Sequence, residues 1–141
     1  MLIKLMGIVP VVNISNGEEL NQGSLLRYMA EMTWFPSAAV SSEIHWEEID
    51  SYSARATMKY KGVSGSGVFR FNDQGEVVEI SACRPRAVGD HFELTPWFIN
   101  LAEYQYFNGL RIPSKGKVIW KLENGDFTWF QFQVQEAEYN F

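Results

Sequence analysis

One stretch constrains this chain more than any other: residues 24–40, Ser-Leu-Leu-Arg-Tyr-Met-Ala-Glu-Met-Thr-Trp-Phe-Pro-Ser-Ala-Ala-Val, the only long run with helical spacing. Almost everything after it alternates in the manner of strands, so a sheet built around one helix is the expected solution. At about 100° per residue, Leu25, Leu26, Tyr28, Met29, Met32, Thr33 and Phe35 spread over more than half the helix circumference. That arc is wider than the stripe of a surface helix, so most of this helix should be covered. Arg27, Glu31 and Trp34 occupy the remaining sector, spaced i, i+4, i+7. Two readings stand for the pair. It is either a solvated i, i+4 ion pair worth ~0.3–0.5 kcal/mol, or a partly buried pair facing a cavity, as the bulk of Trp34 beside it suggests. Asn21 or Ser24 is expected to cap the helix, and Pro36 to end or kink it.

The rest of the chain reads in order. Residues 2–12 form the first strand, with Pro10 marking an edge or bulge. Ile44, Trp46 and Glu48 alternate with their neighbours, as do Ala54, Ala56, Met58 and Tyr60, the pattern of half-buried antiparallel strands. The segment 62–67, Gly-Val-Ser-Gly-Ser-Gly, imitates a phosphate loop, but no Lys-Ser/Thr and no helix follow it, so a hairpin turn or glycine-dependent bend is expected. Asn72–Gly75, Asn108-Gly109 and Glu123–Gly125 are further hairpin signals. Val78, Ile80, Ala82 and Arg84 share a face; Pro85 should break the pairing and leave Arg84 at the sheet rim, tying down a loop. Residues 86–98 read as one long irregular stretch, the natural lid. The final strand sets Phe130, Phe132 and Val134 against Gln131, Gln133 and Gln135.

Composition narrows the function classes. A net charge of −5 over 141 residues lacks the basic footprint of a nucleic-acid binder. Cys83 is the only cysteine, which excludes an intrachain disulfide and a multi-cysteine zinc site. It is expected to be a buried, inert thiol. His45 and His91 lie far apart, so no metal and no cofactor is expected. The apolar N-terminus is interrupted by Lys4, Gly7 and Pro10, is too short to span a bilayer and lacks a cleavage site. With no signal peptide or membrane span visible, the default location is cytoplasmic.

Several motifs together resemble a known family. They are Leu26-Arg27-Tyr28-x-x-Glu31-x-x-Trp34-Phe35-Pro36, Trp46-Glu47, Ala54-x-Ala56, Phe71-x-x-x-Gly75, Pro96-Trp97, Tyr104, Gly109-x-Arg111-Ile112-Pro113 and Trp120. The set looks like an uncharacterised bacterial domain family of unknown function and covers nearly the whole chain. Members of that family usually carry more sequence upstream. Residues 1–141 are therefore read as a single domain, alone or as the C-terminal part of a longer architecture. In fold pattern the chain also resembles the half-barrels of lipoprotein carriers. The expected fold is α+β, mainly β: a curved antiparallel half-barrel of about seven or eight strands wrapped over one main helix between strands 1 and 2.

Function is read as non-catalytic binding of a hydrophobic or lipid-like ligand. Met58, Tyr60, Trp97, Tyr104, Val118 and Trp120 would form the wall. Arg27, Glu31, Arg84 or Arg111 would orient the ligand beside Trp34, an arginine fork suiting a carboxylate or phosphate head group. The same aromatics filling a solid core is the competing account. A structural or assembly domain, dimerising through a sheet edge or docking on an upstream segment, is the alternative. Catalysis is disfavoured, because Cys83 has no nearby histidine and Glu31 beside Arg27 stays ionised. Glu31 with His45 or His91 would require the fold to bring them together.

Overall fold

The computed structural model describes residues 2–5, 18–34, 39 and 42–137. Its elements are β1 (Leu2–Leu5), α1 (Glu18–Glu31), β2 (Ile44–Asp50), β3 (Ser53–Tyr60), β4 (Val63–Phe71), β5 (Val77–Val88), β6 (His91–Phe107), β7 (Leu110–Leu122) and β8 (Gly125–Ala137). They build one curved, unclosed sheet in the order β1-β8-β7-β6-β5-β4-β3-β2. From β2 to β8 each strand pairs antiparallel with the next, as short turns allow. β1 alone joins in parallel, with Leu2 opposite Gln133 and Ile3 opposite Val134. Consecutive strands β1 and β2 thus lie at opposite edges, and the connection that carries α1 runs from one edge to the other. The expected α+β half-barrel with one main helix between strands 1 and 2 is the observed fold.

Turn chemistry explains the meander. Lys61-Gly62 (φ 48° and 80°) and Asn108-Gly109 (φ 50° and 85°) are two-residue turns with both central residues left-handed, which match the twist of the strands they join. At the β4–β5 turn the Asn72 side chain accepts from the amides of Gln74 and Glu76 and closes the loop on itself.

Several local expectations change. The helix begins at Glu18, so Asn21 and Ser24 lie inside it and not at its N-cap. It ends at Glu31, well before Pro36, which lies outside the described residues, as do 37–38, Val40 and the strand residues 6–12. Of segment 62–67, only Gly62 turns; Gly65 and Gly67 are buried inside β4. A Cβ on Gly65 would stand 3.3 Å from Leu26 Cδ2, so the missing side chain is what lets α1 settle onto the sheet.

The largest change concerns residues 86–98. They form a regular hairpin, paired from Glu79 opposite Asn100 to Val88 opposite His91 and turning at Gly89-Asp90. No lid exists there. β4 stops pairing at Ser81 and β7 at Trp97, so beyond those points β5 and β6 form a two-stranded ribbon with free outer edges. Pro85 and Pro96 fall within that ribbon, where a missing amide costs no bond to an outer neighbour. This is why Pro85, expected to break the pairing, is tolerated inside β5.

The core forms where α1 meets the inner face of the sheet. Leu25, Leu26, Met29, Ala30 and Met32 are buried against Phe69, Ile80, Ile99 and Ile112. Gly65→Val should drive α1 off β4 and lower stability by ~1–3 kcal/mol. The exposed neighbouring change Ser64→Val should stay within ~0.5 kcal/mol. Paired urea denaturation curves check both.

Candidate functional site

The chain leaves α1 through two tight turns, with amides of Met32 and Trp34 donating to Met29 O (3.2 Å) and Glu31 O (3.1 Å). Thr33 Oγ1 adds a bond to Ala30 O at 3.2 Å. These bonds satisfy carbonyls that a helix end leaves open, and they swing Trp34 down into the core. Its Nε1 donates to Pro113 O at 3.1 Å, and its ring meets Phe132 edge-on at 5.1 Å. Trp34 therefore no longer shares the sector of Arg27 and Glu31.

Beside this helix end lies a cavity of about 470 Å³. Met32, Thr33 and Ala39 form its roof, and Trp46, Phe69, Phe71 and Val77 most of its wall. Trp46 is fixed by its Nε1 donating to Ala39 O at 2.8 Å and by an edge-on contact with Phe69. The volume falls within the range of small-molecule sites, and the lining is chiefly apolar.

Tyr104 enters this cavity because β6 is kinked. Thr95, Trp97, Ile99 and Leu101, all odd-numbered, are buried on the inner face. Glu103 then adopts φ 53°, rare for a residue with a side chain. Its carbonyl accepts from the buried Ser114 hydroxyl at 2.5 Å, and its carboxylate pairs with Lys115 Nζ at 3.2 Å. Past the kink the inner position passes to Tyr104, whose hydroxyl donates to Val77 O at 2.7 Å. Strand irregularities of this kind often re-aim a side chain at a site.

The cavity's charged groups are already matched. Arg111 Nε donates to Glu76 Oε2 at 2.6 Å, and Asn72 Nδ2 donates to Glu76 Oε1 at 3.0 Å. The Asn72 bond, helped by the hydrogen bond and charge of Arg111, holds the Glu76 carboxyl below its ordinary range against the opposing effect of desolvation. Arg111 also lies over the rings of Tyr104 and Tyr106.

Apart from Trp34, which lies in the core, the anticipated site residues divide into three groups. Tyr104 and Arg111 line the cavity. Arg27 and Glu31 form the solvated pair, with Nε–Oε1 at 3.1 Å and the Arg27 side chain 72 % exposed. Arg84, Trp97 and Trp120 cluster elsewhere, with the Arg84 guanidinium 4.8 Å from one indole and 5.8 Å from the other. Arg84 is held under the helix by its own strand face, where it ties down no rim loop. Trp46, Phe69, Phe71, Val77 and Glu76 belong to the cavity without having been anticipated. The alternation of β2 did place Trp46 on a packed face, but the meeting of β2, β4 and the helix end is non-local.

Other candidates stand apart from the cavity. Cys83, expected to be buried, is exposed, because the face opposite Arg84 is the outer face of the projecting ribbon. His91 sits at the ribbon tip between Asp90 and Glu93, which favour its protonated form, and His45 is exposed on β2. Among the described residues, no three His, Cys, Asp or Glu side chains converge to hold a metal ion. No described helix is long and apolar enough to cross a membrane.

The class defined by this geometry is a mainly β domain, an open curved sheet with one helix across its inner face and a cavity at the helix end. The chain belongs to a family of unknown function, DUF6544, whose family model matches residues 1–132. No curated protein and no solved structure matches it.

Burial, reinforced by the negative charge of Glu76, pushes the Tyr104 hydroxyl up to about 12. The neutral phenol is thus favoured in the folded state. This contribution to stability is intact below the ordinary tyrosine value near 10 and declines as pH rises from there towards 12. The difference in phenolate absorbance between the native protein and Tyr104→Phe should develop with a midpoint near 12. A midpoint near 10 would show Tyr104 exposed to solvent.

Proposed function

We propose that this domain is a non-catalytic binding module for a small hydrophobic ligand, held in the cavity between the end of α1 and strands β2, β4 and β6. The carrying observation is an aromatic, chiefly apolar cavity whose charged side chains, Glu76 and Arg111, already satisfy each other. Such a site gains most of its affinity from apolar contact. A ligand bearing its own charge would have to compete with an existing ion pair. Tyr104, Glu76 and Arg111 at the wall orient a ligand that carries one neutral polar group, an ester or hydroxyl for example. A lipid-like molecule fits this description through its apolar portion.

Assembly through a sheet edge is less favoured. The free edge of β2 carries Glu47, Glu48 and Asp50, all exposed. Two such edges brought together would face like charges across the join, a common device against edge pairing.

Native mass spectrometry of freshly purified protein, followed by organic extraction, tests the reading directly. A hydrophobic molecule at near-stoichiometric level is the expected result, and the same spectrum reports monomer or dimer. Where the protein emerges without ligand, the neutral fluorophore N-phenyl-1-naphthylamine should bind with saturation. Val77→Phe, which fills the cavity, should abolish that binding with the melting temperature held or raised. Equal binding by Val77→Phe and the native protein would remove this cavity as the site.

A further inference from the structure

Arg84 is the most unusual charged residue in this protein. It projects from the inner face of β5 at the base of the β5–β6 ribbon, and the N-terminal half of α1 lies over it. Gly23 is the contact point: a Cβ there would stand 3.3 Å from Arg84 Nε and 3.7 Å from its Nη2. Glycine inside a helix costs about 1 kcal/mol relative to alanine, and here its absent side chain is what accommodates the guanidinium. Trp97 and Trp120 lie along the other side.

Among the described side chains this enclosed cation has no counter-ion. No carboxylate forms a salt bridge with it among the described residues, and its Nε is buried without an acceptor. The Thr95 hydroxyl, opposite Arg84 in the register, is occupied with Arg86 Nε and Glu93 O. The buried indole Nε1 of Trp97 is a second donor with no acceptor. Burial, and then the positive charge of Arg27, make the guanidinium easier to deprotonate than usual. Buried charges are ordinarily paired, and orphaned donors ordinarily mark a missing partner. Arg84 remains partly exposed, so a small group can reach it from solvent.

We propose that Arg84 and Arg27 form an anion-binding site between α1 and the base of the β5–β6 ribbon, which takes a carboxylate or phosphate group. Arg84 presents its planar fork beside the two indoles, and Arg27, four residues after Gly23 and in a solvent-exposed pair with Glu31, adds a second positive charge from the helix. The site is separate from the apolar cavity. Gly23 lies nine residues before Met32 along the chain, and no residue lines both.

Arginine Nε–H and indole Nε1–H resonances in a ¹H–¹⁵N spectrum read the site directly. Inorganic phosphate, acetate and decanoate are the probes. Saturable shifts confined to Arg84 Nε–H and the indole of Trp97 or Trp120 are expected with at least one of them. Comparable affinity for acetate and decanoate, or binding of phosphate, assigns the site to free oxyanions; decanoate binding alone assigns it to the head group of an amphiphile. Arg84→Met, which removes the charge and keeps the bulk, should weaken binding at least about tenfold, the worth of a charge-assisted hydrogen bond. It should fold with an unchanged or higher melting temperature, because an unpaired enclosed charge is lost. Arg27→Gln, at an exposed position that leaves the core untouched, should weaken binding several-fold. Absence of a saturable shift with all three probes overturns the proposal. So does an equal response from Arg27→Gln and the native protein together with destabilisation by Arg84→Met, which would make Arg84 a packing residue only. Val77→Phe should leave anion binding unchanged, so failure of the hydrophobic-ligand reading and failure of this one are distinguishable.

Discussion

The contact between α1 and the inner face of the sheet is the interaction on which the rest of the structure depends. An open sheet has one face to bury and no second sheet to bury it against. In this protein a single fourteen-residue helix performs that task. It succeeds because the backbones come close: Gly65 of β4 leaves room for Leu26, and Gly23 of α1 leaves room for Arg84. Gly65, which resembled part of a phosphate loop in the sequence, and Gly23 are therefore packing devices, one on each side of the same interface.

Both candidate sites follow from the limits of that coverage. Where α1 ends at Glu31, its tight exit sends Trp34 into the core and leaves the space that becomes the apolar cavity. Towards the other end of the helix, β5 and β6 run past the ends of β4 and β7. Arg84 meets the helix at the base of that ribbon, where the sheet supplies the aromatic surface of Trp97 and Trp120. A helix shorter than the strands it covers necessarily leaves regions of this kind. Their chemistry differs because the residues that reach them differ: a closed Glu76–Arg111 pair at one end and a guanidinium whose buried Nε lacks an acceptor at the other.

Local distortion refines the first site. Glu103 holds a left-handed conformation in the middle of a long strand, and Ser114 and Lys115 on the neighbouring strand hold it there. Without that kink the alternation of β6 would turn Tyr104 outwards with Ala102. The strain is local, and its consequence is a phenol in the cavity wall. Membership in the DUF6544 family gives this geometry its frame without assigning it a task.

Much of the fold was legible in the sequence, because periodicity and turn chemistry are local properties of the backbone. Alternation along residues 54–60 and 130–135 named the inward faces, Asn108-Gly109 named a hairpin, and the broad apolar arc from Leu25 to Met32 named a covered helix. The sites were legible only in part. Tyr104 and Arg111 were singled out, while Trp46, Phe69 and Val77 were not. What only the tertiary structure decided is where neighbouring strands stop. Pro85 read as a breaker until the ribbon's free edges made its missing amide harmless, and Cys83 read as buried until its face proved to be the outer one. Arg84 gained its position from a glycine sixty-one residues earlier in the chain. Such meetings depend on register and strand length across the whole sheet, which no local pattern records.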